Sequence, residues 1–259
     1  MQCTGVSISV PGRTLVDQLD LELEPGEFVA VLGRNGVGKT LTLNTLAGLR
    51  PLESGRVLLD GKDLADLPRL YIARRLALLP QLVDDMFPAS VLDTALIGRH
   101  PHIGALRWES PEDYDITLAA LVTMDLGEYS KRDVLTLSGG ERRRLAIAQV
   151  LAQRPDIYLL DEPTNHLDPQ HQHDVLDHFR RLANDGACVV ASLHDANLAS
   201  RFADRCLLLH GDGNWELGDT QSVLDEARLS ALYGTRVESI AWHSQKVFVT
   251  TGERPGQST

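Results

Sequence analysis

The sequence predicts an α/β fold: a mostly parallel sheet with flanking helices, an N-terminal antiparallel β subdomain and an inserted helical subdomain. Three observations predict it. Short apolar runs separated by Pro and Gly dominate the first 60 residues. Helical patterns with almost no strand signal then fill the stretch from about Val91 to Gln153. After that, strand and helix patterns alternate, which implies a parallel sheet covered by helices.

The first part of the chain reads as strands leading into a helix. The predicted strands are Val6–Val10, Leu15–Leu23, Phe28–Leu32, Arg56–Leu59 and Ala77–Pro80. The first three suggest an antiparallel sheet that runs into a buried strand. Leucines at helix-compatible spacing follow Gly38, and the helix is expected to end near Gly48.

The rest of the chain divides into a helical stretch and a strand–helix alternation. The predicted helices are Val91–Ile97, Pro111–Met124, Glu141–Ala152, His171–Ala183, Ala196–Phe202 and Gln221–Tyr233. The predicted strands are Ile157–Leu160, Ala187–Leu193 and Cys206–Leu209, followed by a turn from Trp215 and a hairpin of Val237–Trp242 and Lys246–Val249. We expect one domain over residues 1–250, with its core in 1–84 and 145–250, a helical insert at about 85–144, and a flexible tail at 251–259.

Bulk properties restrict the function classes. The 259 residues carry a formal net charge of −11, which argues against a nucleic-acid partner because phosphate neutralisation needs clustered Lys and Arg. No apolar stretch approaches the ~20 residues that cross a bilayer, and no secretory signal is visible. The three cysteines are widely spaced, which favours small buried thiols over a disulfide or metal site. We expect a cytosolic location.

A glycine-rich loop follows the third predicted strand and opens a helix. It reads Gly33, Arg34, Asn35, Gly36, Val37, Gly38, Lys39 and Thr40. The glycines let backbone N–H groups turn inward around an anion, and the helix N-terminus adds its positive end. Lys39 is expected to reach the β- and γ-phosphates of a nucleotide, and Thr40 to ligate Mg²⁺. A plain glycine-rich turn is the alternative, but the full spacing in strand–loop–helix context favours the P-loop of an NTPase.

A pair of carboxylates ends the apolar strand Ile157–Leu160. Asp161 is expected at the crevice beyond the carboxyl ends of the parallel strands, where it can face the Mg²⁺ shell. Glu162 follows directly and is the candidate general base for the attacking water. Alone, this pair would be read as a solvated turn. With the upstream loop, it predicts a catalytic site.

The sequence resembles the ATP-binding-cassette (ABC) ATPases over nearly its whole length. Leu137, Ser138, Gly139, Gly140 and Glu141, followed by a basic helix, match that family's signature. Gln81 matches its glutamine loop, Asn165–Asp168 its D-loop, and His194 its switch histidine. All these motifs occur in the expected order.

The resemblance implies that ATP and Mg²⁺ bind between two copies of the chain, arranged head to tail in an ATP-induced homodimer. Ser138 and Gly140, at a helix N-terminus, would bind the γ-phosphate held by the partner. Gln81 would contact Mg²⁺ and the water, His194 the γ-phosphate or the water, and Asp168 would connect the two sites. The implied Mg²⁺ ligands are Thr40, Gln81 and Asp161.

The nucleobase side departs from the family. Thr42 and Val10 complete the predicted ATP-binding set, but the register puts Val10 where family members usually place an aromatic ring. Adenine would then rest on an aliphatic wall, which predicts weak discrimination between ATP and other nucleoside triphosphates.

Two other features are discounted. His166, His171, His173 and His178 suggest a metal site, but a solvated helix near the dimer surface is the stronger interpretation, because their spacing scatters them over helix faces. Arg142, Arg143 and Arg144 are expected to serve helix packing and the partner's phosphates rather than nucleic acid.

Two segments resemble the ATPases of importers for iron–siderophore complexes, haem and vitamin B12. They are Asp84–His102, with Arg99-His100-Pro101-His102, and the region around His194. This implies two membrane permease subunits, indirectly a periplasmic binding protein, and a peripheral position on the cytoplasmic face of the inner membrane. The alternatives are a soluble ABC ATPase acting in chromosome maintenance, translation or cluster assembly, and an inactive scaffold.

Overall fold

The computed structural model describes residues 1–81, 87–104, 107–243 and 245–252. Its largest sheet has six strands in the order β10-β9-β3-β8-β7-β6. Their bounds are β3 Phe28–Leu32, β6 Leu76–Leu79, β7 Ile157–Asp161, β8 Cys188–Leu193, β9 Arg205–Leu209 and β10 Trp215–Asp219. All neighbours are parallel except β10, which pairs antiparallel with β9. The predicted α/β fold with a mostly parallel sheet is confirmed.

A second, antiparallel sheet comes from the N-terminal part of the chain, as predicted. Its strands lie in the order β2-β1-β4-β5. Their bounds are β1 Gln2–Val10, β2 Arg13–Glu22, β4 Ser54–Leu59 and β5 Lys62–Asp63. Pro11 and Gly12 form the turn between β1 and β2, because a Pro–Gly pair supplies the fixed and positive φ values that turns need.

The large sheet separates two apolar clusters, and β3 contributes to both. Phe28, Ala30 and Leu32 pack on the side of the helices Gly139–Gln153 and Pro169–Asn184. Val29 and Val31 pack with the helix Lys39–Leu46 and the antiparallel sheet. A strand buried on both faces reads as a continuous apolar run, which is why the FVAVL stretch of β3 carries no alternation.

Most of the helices occupy ranges that the sequence predicts, but the helix Arg69–Arg75 was not predicted. Their bounds are α1 Lys39–Leu46, α2 Arg69–Arg75, α3 Val91–Leu96, α4 Pro111–Thr123, α5 Gly139–Gln153, α6 Pro169–Asn184, α7 Ala196–Phe202, α8 Thr220–Val223 and α9 Glu226–Tyr233; 3-10 turns occur at Leu64–Asp66, Ile97–His102, Gly127–Tyr129 and Val134–Thr136. Ser90, Ser110 and Ser138 cap the N-termini of α3, α4 and α5, accepting N–H donors that a helix end leaves free. In the described ranges, no helix combines the length and apolar character needed to cross a membrane.

Two predictions for the C-terminal part are wrong. Trp215 begins strand β10 rather than a turn; the turn lies just before it, at Gly211–Asn214. Its sequence WELGD hides the strand, because Gly and Asp have low β propensity. The helix predicted over Gln221–Tyr233 is two helices, since Leu224 is extended and Asp225 accepts the Arg228 N–H and starts α9 anew.

The predicted hairpin is present as β11 Val237–Trp242 and β12 Gln245–Thr250. Asn197 of α7 fixes its position: its side-chain amide donates to the Phe248 carbonyl at 3.1 Å, and its carbonyl oxygen accepts the Phe248 N–H at 2.7 Å. The predicted flexible tail lies outside the described residues from 253 onward, as do residues 84–86 of the importer-like segment.

Candidate functional site

The loop from Gly33 to Thr40 joins β3 to α1 and curls around the Lys39 side chain. Lys39 Nζ donates to the carbonyl oxygens of Gly33 at 2.8 Å and Arg34 at 3.3 Å. Gly33 must be glycine, because a Cβ there would lie 2.6 Å from the Leu209 carbonyl oxygen. Lys39 is 5% exposed. Burial lowers the pKa of its ammonium, and the charges of Glu162 and Asp161 oppose that shift.

A cavity of about 390 Å³ opens beside this loop. It is lined by most of the predicted nucleotide residues, namely Val10, Arg34, Asn35, Gly36, Gly38, Lys39, Thr40, Gln81 and Glu162, together with Arg13, Leu15 and Leu41. The structure therefore brings the loop, the glutamine and the candidate base to one space. Val10 is 37% exposed and presents only an aliphatic surface to it.

Two of the predicted ATP-binding side chains do not reach this cavity. Thr42 is 1% exposed, and its hydroxyl donates to the Gly38 carbonyl at 2.9 Å. Leu41 lines the cavity instead, because successive side chains on a helix point about 100° apart. The Thr42 side chain therefore lies outside the cavity that the other predicted nucleotide residues line. The Val37 side chain packs into the apolar cluster of the antiparallel sheet, which leaves its backbone N–H as the group for a phosphate.

Asp161 ends β7 directly opposite Ser192 of β8. Ser192 Oγ donates to Asp161 Oδ1 at 2.6 Å and accepts the Glu162 N–H at 2.8 Å. The other carboxylate oxygen, Asp161 Oδ2, is buried and has no hydrogen-bond partner among the described residues. A buried carboxylate oxygen without a partner is costly, so this atom is suited to a cation.

Glu162 is held at its carboxylate by three side chains from three segments. His194 Nε2 lies 2.7 Å from Oε1, Gln81 Nε2 donates to Oε2 at 2.9 Å, and the Asn165 amide donates to Oε2 as well. Glu162 has a left-handed backbone with φ 49°, which is rare outside glycine and concentrates at functional sites. His194, just after β8, is about two-fifths exposed, whereas Glu162 is buried.

The oxygen atoms at this edge fit Mg²⁺. Thr40 Oγ1 lies 3.5 Å from Gln81 Oε1, and both residues line the cavity. Asp161 Oδ2, at the end of β7, offers a third hard oxygen donor, and three donors are too few for a closed protein cage. Mg²⁺ accepts such partial sets, because it keeps waters and takes substrate phosphate oxygens as further ligands.

The histidine-rich helix does not form a comparable site. His171 instead contacts Asp168 and Arg144, at 2.7 Å and 2.6 Å. His173 packs edge-on against Phe202. Among the described residues, no group of three or more His, Cys, Asp or Glu side chains could hold a metal ion.

The signature segment starts α5 with a capping box. Ser138 Oγ accepts the Glu141 N–H at 3.3 Å, and Glu141 accepts the Ser138 N–H at 2.7 Å. Leu137 is buried, whereas Gly139 has open space around it. Gly140 lies close to the His166 carbonyl oxygen. None of the five residues Leu137–Glu141 lines the cavity, so one chain alone does not bring this anion site to its own nucleotide loop.

Asp168 caps the N-terminus of α6. Its Oδ1 accepts the His171 N–H at 2.9 Å. Hydrogen bonds from the His171 backbone and ring hold the pKa of the Asp168 carboxyl below its ordinary value.

Sequence reasoning missed the roles of Ser192 and Arg143. A serine inside the apolar run CVVASL was the available signal for Ser192. Arg143 was expected to face a partner's phosphates; instead it is 3% exposed and directed at the backbone of its own chain. That part of the expectation is wrong for Arg143. Arg142 and Arg144 hold α5 against neighbouring segments, because Arg142 donates to the Leu137 carbonyl oxygen and Arg144 contacts the His171 ring.

Comparisons with known proteins give a consistent set of similarities. A profile described as ABC transporter matches residues 16–165. The hemin import ATP-binding protein HmuV of Pseudomonas entomophila is 41% identical over 238 residues, covering 90% of this chain and 92% of that protein. HmuV of Pseudomonas aeruginosa is 42% identical over 243 residues, covering 92% and 93%.

Solved structures are similar over comparable lengths. An inward-facing metal-chelate type ABC transporter matches with a TM-score of 0.82 and 29% identity, covering 96% of each chain. A dimeric bacterial ABC transporter cassette matches with a TM-score of 0.75 and 27% identity, covering 85% of this chain and 98% of that one.

Proposed function

This chain belongs to the ABC transporter family, and from that premise we propose that it is the ATP-hydrolysing subunit of an importer whose cargo is hemin. The observation that carries the hydrolytic part is Glu162, fixed by His194 and Gln81 at the edge of a cavity that also contains Lys39. The hemin import proteins, more than 40% identical to this chain, support the cargo within the wider class of iron chelates, haem and cobalamin.

In the proposed reaction, the loop Gly33–Thr40 binds the phosphates through its N–H groups and Lys39. The Lys39 ammonium then exchanges its two carbonyl partners for phosphate oxygens. Thr40, Gln81 and Asp161 would hold Mg²⁺, which neutralises charge on the phosphates when bound. Glu162 orients the attacking water and takes its proton as the water oxygen bonds to the γ-phosphorus, and His194 stabilises that arrangement from the exposed side. The bond from the γ-phosphorus to the bridging oxygen breaks at the same time, and ADP leaves with that oxygen and its electron pair.

The signature segment supports a head-to-tail homodimer. Its N–H groups and the Ser138 hydroxyl form an anion site that lies outside the chain's own cavity. We propose that this site covers the γ-phosphate bound by a second copy, and that Asp168 connects the two sites. ATP then holds the dimer closed, and hydrolysis releases it.

Transport needs membrane partners. We propose two permease subunits that contact the helical insert, at about 85–144, while residues 1–84 and 145–250 form the rest of a single ATPase domain. A periplasmic binding protein would deliver cargo to the permease. The chain would lie at the cytoplasmic face of the inner membrane.

Growth on defined iron sources tests this proposal. Cells that lack the gene should fail to grow with hemin as the sole iron source, and the wild-type gene should restore growth. The matched control is Glu162→Gln, which preserves the fold and should not restore growth. Loss of growth on a ferric siderophore, or a loss of cobalamin uptake, with hemin use intact would move the cargo to those classes. No transport defect in any arm, with ATP hydrolysis intact, would favour the soluble ABC ATPases.

A further inference from the structure

Arg143, on the second turn of α5, directs a buried guanidinium at two backbone segments of the site. Its Nη1 donates to the carbonyl oxygens of Pro80 at 2.6 Å and Gln81 at 3.3 Å. Its Nη2 donates to the Glu162 carbonyl oxygen at 2.8 Å and to that of Asp161. These two segments lie at the carboxyl ends of the neighbouring parallel strands β6 and β7. One side chain therefore spans the point where the two strands end.

The choice of arginine is informative, because packing alone does not favour it. The side chain is 3% exposed, and its Nε has no partner among the described residues. Burial lowers the pKa of the Arg143 guanidinium to about 10, with the charges of Asp161 and Glu162 opposing, so it stays charged at neutral pH. An apolar side chain would avoid this desolvation. The planar guanidinium offers instead a fixed set of donors that can hold several carbonyl groups in one arrangement.

The backbone positions that Arg143 holds set the side-chain contacts of the site. Gln81 Nε2 reaches Glu162 Oε2 at 2.9 Å, so the two backbones must keep their separation for that bond to form. The Glu162 backbone is also in the left-handed region, where a non-glycine residue needs external support. α5, which carries Arg143, begins at the Ser138 cap.

We propose that Arg143 is a positioning residue for ATP hydrolysis, which fixes Gln81 and Glu162 relative to each other and to the signature helix. This rests on the roles proposed above for Gln81 and Glu162. Among the described residues, Arg143 makes no hydrogen bond to the loop Gly33–Thr40, so its loss should affect turnover more than nucleotide binding. A displacement of about 1 Å at catalytic groups lowers turnover roughly a hundredfold, and this sets the expected scale.

The test compares steady-state ATP hydrolysis by the full chain and two buried-arginine variants, Arg143→Gln and Arg99→Gln. Arg99 is the matched control, because it is also buried and donates to a backbone carbonyl of α5, that of Ala152 at 2.9 Å. Its other hydrogen bond goes to Asp113, so it does not hold the backbone of Gln81 or Glu162. We expect Arg143→Gln to lower kcat roughly 30- to 100-fold with KM within threefold of wild type. Arg99→Gln should lower the Tm and leave kcat within about twofold.

Two results would overturn the proposal: a kcat for Arg143→Gln within threefold of wild type, or an equal loss of kcat in both variants. If Arg143→Gln does not fold, Arg143→Lys decides, since it keeps the charge but offers one ammonium to four carbonyls. A folded Arg143→Lys protein with kcat at least fivefold reduced at unchanged KM supports the proposal, and wild-type kcat refutes it. Glu162→Gln, assayed in parallel, tests the proposed role of Glu162 separately from that of Arg143. Normal turnover by Glu162→Gln would show that Glu162 is not the general base, whatever the result for Arg143.

Discussion

Replacing Ser192 with alanine tests whether the buried hydroxyl between β7 and β8 organises the catalytic edge. Ser192 is fully buried, and its hydroxyl makes two bonds, to Asp161 Oδ1 at 2.6 Å and from the Glu162 N–H at 2.8 Å. Alanine removes a bond to a charged group, worth about 1.5–3 kcal/mol, and leaves a buried N–H unpaired, at about 1–3 kcal/mol. Because the two effects share one atom and do not simply add, we expect unfolding free energy to fall by about 3 kcal/mol.

Urea unfolding of the nucleotide-free protein measures this loss. The matched control is Thr117→Val, which keeps side-chain volume at another fully buried hydroxyl. Thr117 Oγ1 donates only to the Asp113 carbonyl at 2.7 Å, so this change should cost about 1 kcal/mol. Ser192→Ala should also reduce kcat, because the Glu162 N–H loses its anchor. If Ser192→Ala destabilises the protein no more than Thr117→Val does and retains wild-type kcat, the hydroxyl does not organise this edge.

Four further predictions address the site and the stability of the insert. Glu162→Gln should bind ATP and accumulate closed dimers in size-exclusion chromatography, while phosphate release falls by roughly two to four powers of ten. Ser138→Trp should block dimer closure but leave binding of a fluorescent ATP analogue to the monomer intact; loss of that binding would mean that the signature acts in cis. Val10→Tyr should raise the preference for ATP over GTP in competition assays, whereas strong adenine selectivity in the wild type would contradict the assignment of Val10. Hydrogen bonds from Ser110, aided by Arg99, lower the pKa of Asp113 to about 2 from 3.8. The stabilisation that this shift represents is present above pH 3.8 and is lost as the pH falls towards 2. Asp113→Asn should therefore lower the unfolding free energy, measured by urea unfolding, by about 1–2 kcal/mol at pH 7 and by little at pH 2.

The sequence predicted most of the fold because its strands and helices carry strong local signals. The loop Gly33–Thr40 and the apolar runs of β3, β7 and β8 are examples. Strand β10 was missed because its pairing with β9, rather than its own residues, makes WELGD a strand. Such tertiary partners are invisible in a local window.

The candidate site was predicted in outline but not in its supports. Motif spacing locates Lys39 and Glu162 without a structure. Motif spacing does not show which way a side chain points from its helix. Thr42 was therefore predicted to bind ATP, whereas in the structure the Leu41 side chain lines the cavity and that of Thr42 does not. Ser192 and Arg143 each contact residues that are 18 or more positions away in the sequence. No local sequence pattern shows that those atoms lie together.

The two-sided burial of β3 has a consequence for how the protein responds to its ligand. The loop Gly33–Thr40 directly follows β3, and alternate residues of β3 pack into the apolar clusters on the two opposite faces of the sheet. Any substitution that destabilises either layer therefore also destabilises the strand that carries the loop. ATP, because it binds only the native form, stabilises both layers together against unfolding. Thermal shift on adding nucleotide is then a report on the integrity of the whole domain, including parts that the nucleotide never touches.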